Sequence, residues 1–360
     1  MENIQSVNSF VGVDIGKKGM EIVRISNHGP HRRLRTKTTQ EGEKALFEWL
    51  RPTDTVILEA GSQSFRIAKR IRNHGIEAIV LNPGDVRTIY ASLRKTDKED
   101  ALKLARLAQR NPREELPEVT VPDDEEEDAR RLTTEQAHWS KQKTINKNRL
   151  HSLFTQAGLT DITKKDISTQ KNRERVIPLL PERYQREALR LQQALESIDN
   201  FLETVDDEIR ERLQDNIEYT KIAMSMPGIG PVTAHAFIAY LGDCRRFSRG
   251  KQVSYYAGLV PRVDQSGETE RYGSIIKRGC TPIRRVIIQC AWAMMKAEHG
   301  GPLKEFYERL NLRIGSKKAI VATARKMVET FYSMITSGEL YWGVPEDIIH
   351  KKMKTYGLIA

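Results

Sequence analysis

The sequence predicts an α/β domain built on a mixed sheet, followed by an α-helical coiled-coil stalk and a mostly α-helical C-terminal domain. Three observations predict it. Short apolar runs alternate with helically spaced ones through residues 1–115. A seam of Leu191, Leu195, Ile198, Leu202, Val205 and Ile209 then alternates steps of four and three, the heptad spacing of a coiled coil. Beyond residue 220 the apolar spacing is mainly that of helices.

In chain order, Phe10-Val11-Gly12-Val13-Asp14-Ile15 reads as a strand closed by the turn Gly16-Lys17-Lys18-Gly19. Residues 20–25 return as the second strand of a hairpin, and the more polar residues 32–39 form a third strand at the edge. Ala45, Leu46, Trp49 and Leu50 have helical spacing, Val56-Ile57-Leu58-Glu59 is a fourth strand, and Phe65, Ala68 and Ile71 mark a helix. A fifth strand over 76–81 stops at Asn82-Pro83-Gly84. Three meandering strands followed by β-α-β units imply a mixed sheet with helices on its faces.

Pro112, Pro117 and Pro122 mark a change of composition, and 116–219 reads as the stalk. It opens with six consecutive acids, residues 123–128, whose charge complements the dipole at a helix start. Two long helices with a polar, basic loop over 160–175 between them would project as an antiparallel pair, the seam packing within one chain or between subunits. The third domain, 220–345, carries helices over 232–241, 282–296 and 316–337 and a loop-rich stretch from Gly258 to Gly279. Residues 346–360 read as a tail.

The net charge of +11 favours a polyanionic partner, because each phosphate neutralised releases counterions. No apolar run approaches the about 20 residues a membrane helix needs, and the start lacks a secretory signal, so a cytoplasmic location is expected, with no membrane partner. Cys244, Cys280 and Cys290 form no CxxC pair and have no histidine cluster beside them, which argues for reduced thiols and against zinc.

Four carboxylates stand out. Asp14 lies in an apolar strand, where an unpaired carboxylate costs several kcal/mol. Glu59 ends another strand. Asp97 and Asp100 stand at i and i+3, on one face of the helix opened by Lys95-Thr96-Asp97-Lys98-Glu99-Asp100. Singly, turns, strand ends and a Thr96–Glu99 capping box account for most of them. Together, on separate elements of a mixed sheet, they form a hard-oxygen site suited to Mg²⁺ or Mn²⁺, the ions of phosphodiester chemistry.

These residues resemble a known family. Phe10-Val-Gly-Val-Asp14-Ile-Gly, Leu58-Glu59-Ala60 and Lys95-Thr-Asp97-Lys-Glu-Asp100-Ala101 are similar to the DEDD pattern of a RuvC-like (RNase H fold) nuclease domain. They resemble in particular the DEDD transposases of the insertion sequence 110 family and the related Piv-type DNA invertases. Pro227-Gly-Ile-Gly230, Tyr256-Ala-Gly-Leu-Val-Pro261-Arg262, Gln265-Ser266-Gly267 and Ile276-Lys277-Arg278-Gly279, followed by Arg284-Arg285, match that family's second domain in order.

The resemblance implies that Asp14, Glu59, Asp97 and Asp100 bind metal, and that Ser266 attacks DNA to give a covalent phosphoserine. It also implies a structured noncoding RNA that pairs with donor and target DNA. With no histidine beside Ser266, activation of its hydroxyl would fall to the metal site, if the two domains meet, as across a subunit interface. Between Arg262 and Arg285, six basic residues (Arg262, Arg271, Lys277, Arg278, Arg284, Arg285) face three acids, a set suited to gripping phosphate. Gly228 and Gly230 resemble a helix-hairpin-helix turn, whose backbone N–H groups would approach a phosphate. A tight turn between packed helices explains them equally well.

Recombination of two duplexes implies a dimer or tetramer, for which the heptad seam offers one route. Two other readings stay open: a metal-only RuvC-like junction-resolving nuclease, and a non-catalytic nucleic-acid-binding scaffold.

Overall fold

The structure is a computed structural model that describes residues 9–26, 30–89, 97–266 and 269–360. The side chains of 87–89, 97, 263–266 and 269–272 lie outside that description. Two compact units divide the chain, residues 1–123 and 124–360.

The first unit holds strands β1 (Ser9–Ile15), β2 (Gly19–Ile25) and β3 (Arg32–Lys37), helix α1 (Gln40–Trp49), strand β4 (Asp54–Glu59), helix α2 (Ser64–Asn73), strand β5 (Glu77–Leu81), and helices α3 (Pro83–Ile89) and α4 (Asp97–Arg110). The sheet order is β3-β2-β1-β4-β5, with β1 antiparallel to β2 and parallel to β4. Strand alternation divides the side chains cleanly between two faces. Val11, Val13, Val56, Leu58, Ala78 and Val80 pack on one face with Leu46, Ile67 and Ile71 of α1 and α2. Phe10, Ile57, Ile79 and Leu81 meet Leu104, Leu107 and Ala108 of α4 on the other.

The Asn82-Pro83-Gly84 stop is also a start, for α3 begins at Pro83, which suits a first helical turn because it has no N–H to leave unpaired. The boundary at 115 is also corrected. Val119 N donates to Val80 O (2.7 Å) and Asn82 N to Pro117 O (2.9 Å), so residues 117–119 line the sheet edge and belong to this unit. Proline is tolerated there because its carbonyl accepts and no donor is required of it.

In the second unit α5 (Asp124–Gln156), α6 (Gln170–Val176) and α7 (Glu182–Asp215) form the stalk. Pairs Gln136–Asp206, Lys143–Asp199 and Arg149–Glu187 run in opposite directions along α5 and α7, so the helices are antiparallel. The seam residues Leu195, Ile198, Leu202, Val205 and Ile209 are buried within this one chain. That seam is therefore not an open route to a dimer. Part of the expected 160–175 loop is helix α6, capped by the Thr169 hydroxyl accepting from Asn172 N.

There follow α8 (Ile217–Ser225), α9 (Pro231–Leu241), α10 (Gly250–Tyr256), strands β6 (Pro261–Ser266) and β7 (Thr269–Ile275), α11 (Thr281–Met294), α12 (Gly301–Ile314), α13 (Ser316–Ser337) and α14 (Glu346–Thr355). The stalk and the C-terminal domain, expected to be separate, share one core that joins Leu132, Val205 and Leu213 to Phe237, Ile287 and Phe331. The expected tail is α14, whose Ile349 and Met353 are buried in that same core. The expected loop from Gly258 to Gly279 contains the antiparallel hairpin β6–β7. Among the described residues no helix is long and apolar enough to cross a membrane.

Candidate active site

Asp14 occupies the end of β1, and Glu59 is the last residue of the parallel neighbour β4. The paired rung Val13–Leu58 puts them side by side, one step further on. Because side chains alternate, Asp14 lies on the face of Phe10 and Gly12, and Glu59 on the face of Ile57. Both therefore face α4.

Gly12 sets how closely that helix approaches. A Cβ on Gly12 would stand 1.9 Å from Ala101 O and 2.8 Å from Ala105 N, so only glycine lets α4 lie directly on β1. Since Leu104, Leu107 and Ala108 cluster with Phe10 at the start of β1, α4 runs against the strand. Its N-terminal turn, bearing Asp97 and Asp100, is thereby directed to the sheet end that carries Asp14 and Glu59.

Asp14, Glu59 and Asp100 are each half-buried. Asp100 pairs with Lys103 Nζ at 2.6 Å, and Glu59 has no hydrogen-bond or ion-pair partner among the described residues. Asp97 is the first residue of α4, but its side chain is outside the described residues, as is Thr96 of the expected capping box. Among the described residues no three potential ligands already stand within one coordination sphere. The sheet and α4 thus bring Asp14, Glu59 and Asp100 to one end and one face, while Asp100 is turned to a lysine. As a donor set they fit a hard divalent cation, having oxygens only, from three elements, with partial access to water.

Sequence reasoning missed one neighbour. Glu21 pairs with Asp14 across the β1–β2 hairpin and lies on the same face, buried, with Arg35 Nε 2.9 Å from its carboxylate. The hairpin register alone would have revealed it, since a turn at 16–19 sets Asp14 against Glu21.

In the second unit Ser266 ends β6, opposite Thr269 on β7. Its side chain, like that of Arg271, lies outside the described residues. Arg262 and Lys277 are exposed on the hairpin and just past its base, Lys277 at a positive φ of 56°. Arg285 is exposed at the start of α11, and among the described residues no ion pair holds it. Arg284 differs. Its Nη1 donates to Ala257 O (3.0 Å) and its Nη2 to Thr281 Oγ1 (2.9 Å), so much of its fork is committed to the base of the hairpin. That bond set favours a structural role over the phosphate grip expected of it.

The 226–230 turn joins α8 to α9. Gly228 has φ +84°, and a Cβ there would stand 2.4 Å from Cys290 O of α11. This packing accounts for Gly228 without a phosphate. From the other side Lys352, half-buried, donates Nζ to Met224 O (2.6 Å), and desolvation pushes its ammonium down to about 8. Gly230 caps α9, whose first turn has few N–H groups to offer a phosphate, since Pro231 has none and Thr233 N donates to Gly230 O (3.1 Å). The three cysteines are free thiols raised by burial, Cys244 to about 12, which disfavours the reactive thiolate.

A mixed sheet of this topology, with carboxylates at one end under a packed helix, defines the first unit as an RNase H-like domain of the DEDD class. Comparison with known proteins agrees. Residues 11–158 match a DEDD family model of IS110 type described as "Transposase", and residues 220–308 match the "Transposase IS116/IS110/IS902 family". The transposase for insertion sequence element IS1111A of Coxiella burnetii is 25% identical over 92% of this chain and 91% of its own length. A probable family 20 transposase of Pseudomonas aeruginosa is 24% identical, covering 92% and 98%. The pilin gene-inverting protein of Moraxella bovis is 23% identical, covering 91% and 95%. The chain belongs to the IS110 family of transposases, enzymes that cleave DNA.

Proposed function

We propose that this transposase cuts and rejoins DNA through Ser266, and that Asp14, Glu59, Asp97 and Asp100 hold Mg²⁺ or Mn²⁺ for that reaction. The observation that carries the metal half is the placement of Asp14 and Glu59 side by side on adjacent strands, facing the N-terminal turn of α4. When bound, such an ion supplies charge stabilisation to a phosphodiester undergoing displacement. The protein's part is to hold hard oxygen donors at fixed heights above the sheet, and the contact of Ala101 on Gly12 sets those heights.

For the nucleophile, support comes from the match of residues 220–308 to the family and from the position of Ser266 at the end of a β-strand. In the step proposed, Ser266 Oγ bonds to a DNA phosphorus, its proton leaves, and the P–O bond to the displaced DNA oxygen breaks. Rejoining reverses this, with a DNA hydroxyl attacking the phosphoserine. Arg262, Arg271, Lys277 and Arg285 would hold the phosphates, Gly228 and Arg284 serving chiefly as packing.

The reading extends to a structured noncoding guide RNA, supported by the +11 charge and the family, and to two or more copies of the chain acting on two duplexes. Sequencing nucleic acid co-purified from cells tests the RNA: a discrete species matching DNA that flanks the gene is expected, and bulk cellular RNA alone would contradict it. For the nucleophile, wild-type protein trapped on a nicked DNA substrate should yield a peptide carrying phosphate on Ser266 by mass spectrometry. Ser266→Ala should abolish both the adduct and strand cleavage, and an undiminished adduct would overturn the assignment.

A further inference from the structure

Helix α11 buries Ile283, Val286, Ile287, Cys290, Ala291 and Met294 in the core. On the opposite side, Arg285, Gln289 and Trp292 are all exposed, and Lys296 follows one turn beyond. At 100° per residue Arg285, Gln289 and Trp292 fall within about 60° of one another, a stripe about 11 Å long, and Lys296 lies just past the end of the helix at Met294. The helix contains no Asp or Glu.

For stability alone the stripe is poorly chosen. Arg284 in the first turn and Arg285 just beyond it stand near the helix end where the dipole favours acids. Trp292 is 42% exposed, its indole set edge-on to Tyr307 with ring centroids 6.2 Å apart. Trp49, by contrast, is covered by the Arg24 guanidinium at 3.8 Å. Two cations and an amide bracketing an open indole form the set that grips a nucleic-acid strand, with charge on phosphates and a flat ring against a base.

We propose that Arg285, Gln289, Trp292 and Lys296 seat a locally unpaired DNA strand, with Arg285 and Lys296 on phosphates and the Trp292 indole stacked on a base. An indole on an exposed helix face gains a stacking partner only from a base that has left its duplex, as strands must when they are cut and exchanged. That the strand is DNA rests on the chain's being a transposase. Arg285 is shared with the phosphate grip proposed above but Ser266 does not enter, so Trp292 carries the decisive readout and failure of the serine assignment leaves this proposal standing.

The test is equilibrium binding of the full-length protein in EDTA, read by fluorescence anisotropy, to single-stranded DNA, the same sequence as duplex, and the same sequence as RNA. Trp292→Ala should weaken single-stranded DNA binding by about 10-fold and leave duplex binding within about two-fold. Trp292→Phe should recover most of the loss. Arg285→Ala should weaken both DNA forms and lower the slope of log K against log salt by about one. Gln289→Glu, which puts an acid on the stripe without touching the core, should also weaken the single strand. Wild-type affinity in Trp292→Ala, equal losses for single strand and duplex, or a loss confined to RNA would each overturn the proposal.

Discussion

The two ends of the five-stranded sheet use carboxylates in opposite ways. At one end Asp54, 1% exposed, accepts from Arg24 Nε (3.0 Å) and Nη2 (2.6 Å), from Arg51 N (2.8 Å) and from the Ser9 hydroxyl. Its lone pairs are filled by donors from β1, β2 and the approach to β4. At the other end Glu59 is half-buried with no hydrogen-bond partner among the described residues, beside Asp14 and near Glu21. A carboxylate whose partners are built into the fold is structural. Glu59, a carboxylate with no such partner set beside a second acid on the same face, is arranged for something the fold does not contain.

The comparison is broken most forcefully from the structural end. Arg24→Ala would leave Asp54 buried and uncompensated, and chemical denaturation should register a loss of about 3–5 kcal/mol. A loss below about 1 kcal/mol would mean that Asp54 is not held as described. A smaller effect comes from the packing that positions the acids. Gly12→Ala forces a methyl into Ala101 O, so stability should fall by about 1–3 kcal/mol. Mn²⁺ affinity should fall with it although no carboxylate has changed, and unchanged affinity would separate α4 from the site.

Much of this was legible in the sequence, for identifiable reasons. Asp14 stood out because a charge inside Phe10-Val-Gly-Val-Asp-Ile contradicts its surroundings. The helix period exposed the α7 seam but left open whether α5 or another subunit packs on it, since α5 is polar over most of its length. The β6–β7 hairpin escaped because Asp264, Gln265 and Ser266 pair with Arg271, Glu270 and Thr269, so neither strand shows apolar alternation. The short α14 escaped because Ile349 and Met353 give a single four-residue step, too little to mark a helix that tertiary packing then secures. Whether Arg284 and Gly228 serve structure or ligand depends on partners far along the chain, which spacing does not reveal.

The central claim is that the Asp14–Glu59 end of the sheet binds a divalent cation and does not hold the fold together. Calorimetric titration of Mn²⁺ into wild type and Glu59→Gln, with melting of both in EDTA, tests it directly. The account predicts that Glu59→Gln loses Mn²⁺ binding by at least about 10-fold while melting in EDTA at or above the wild-type temperature, because like charges have been reduced. Wild-type Mn²⁺ affinity in the variant, or a fall of its metal-free Tm by many degrees, would contradict it.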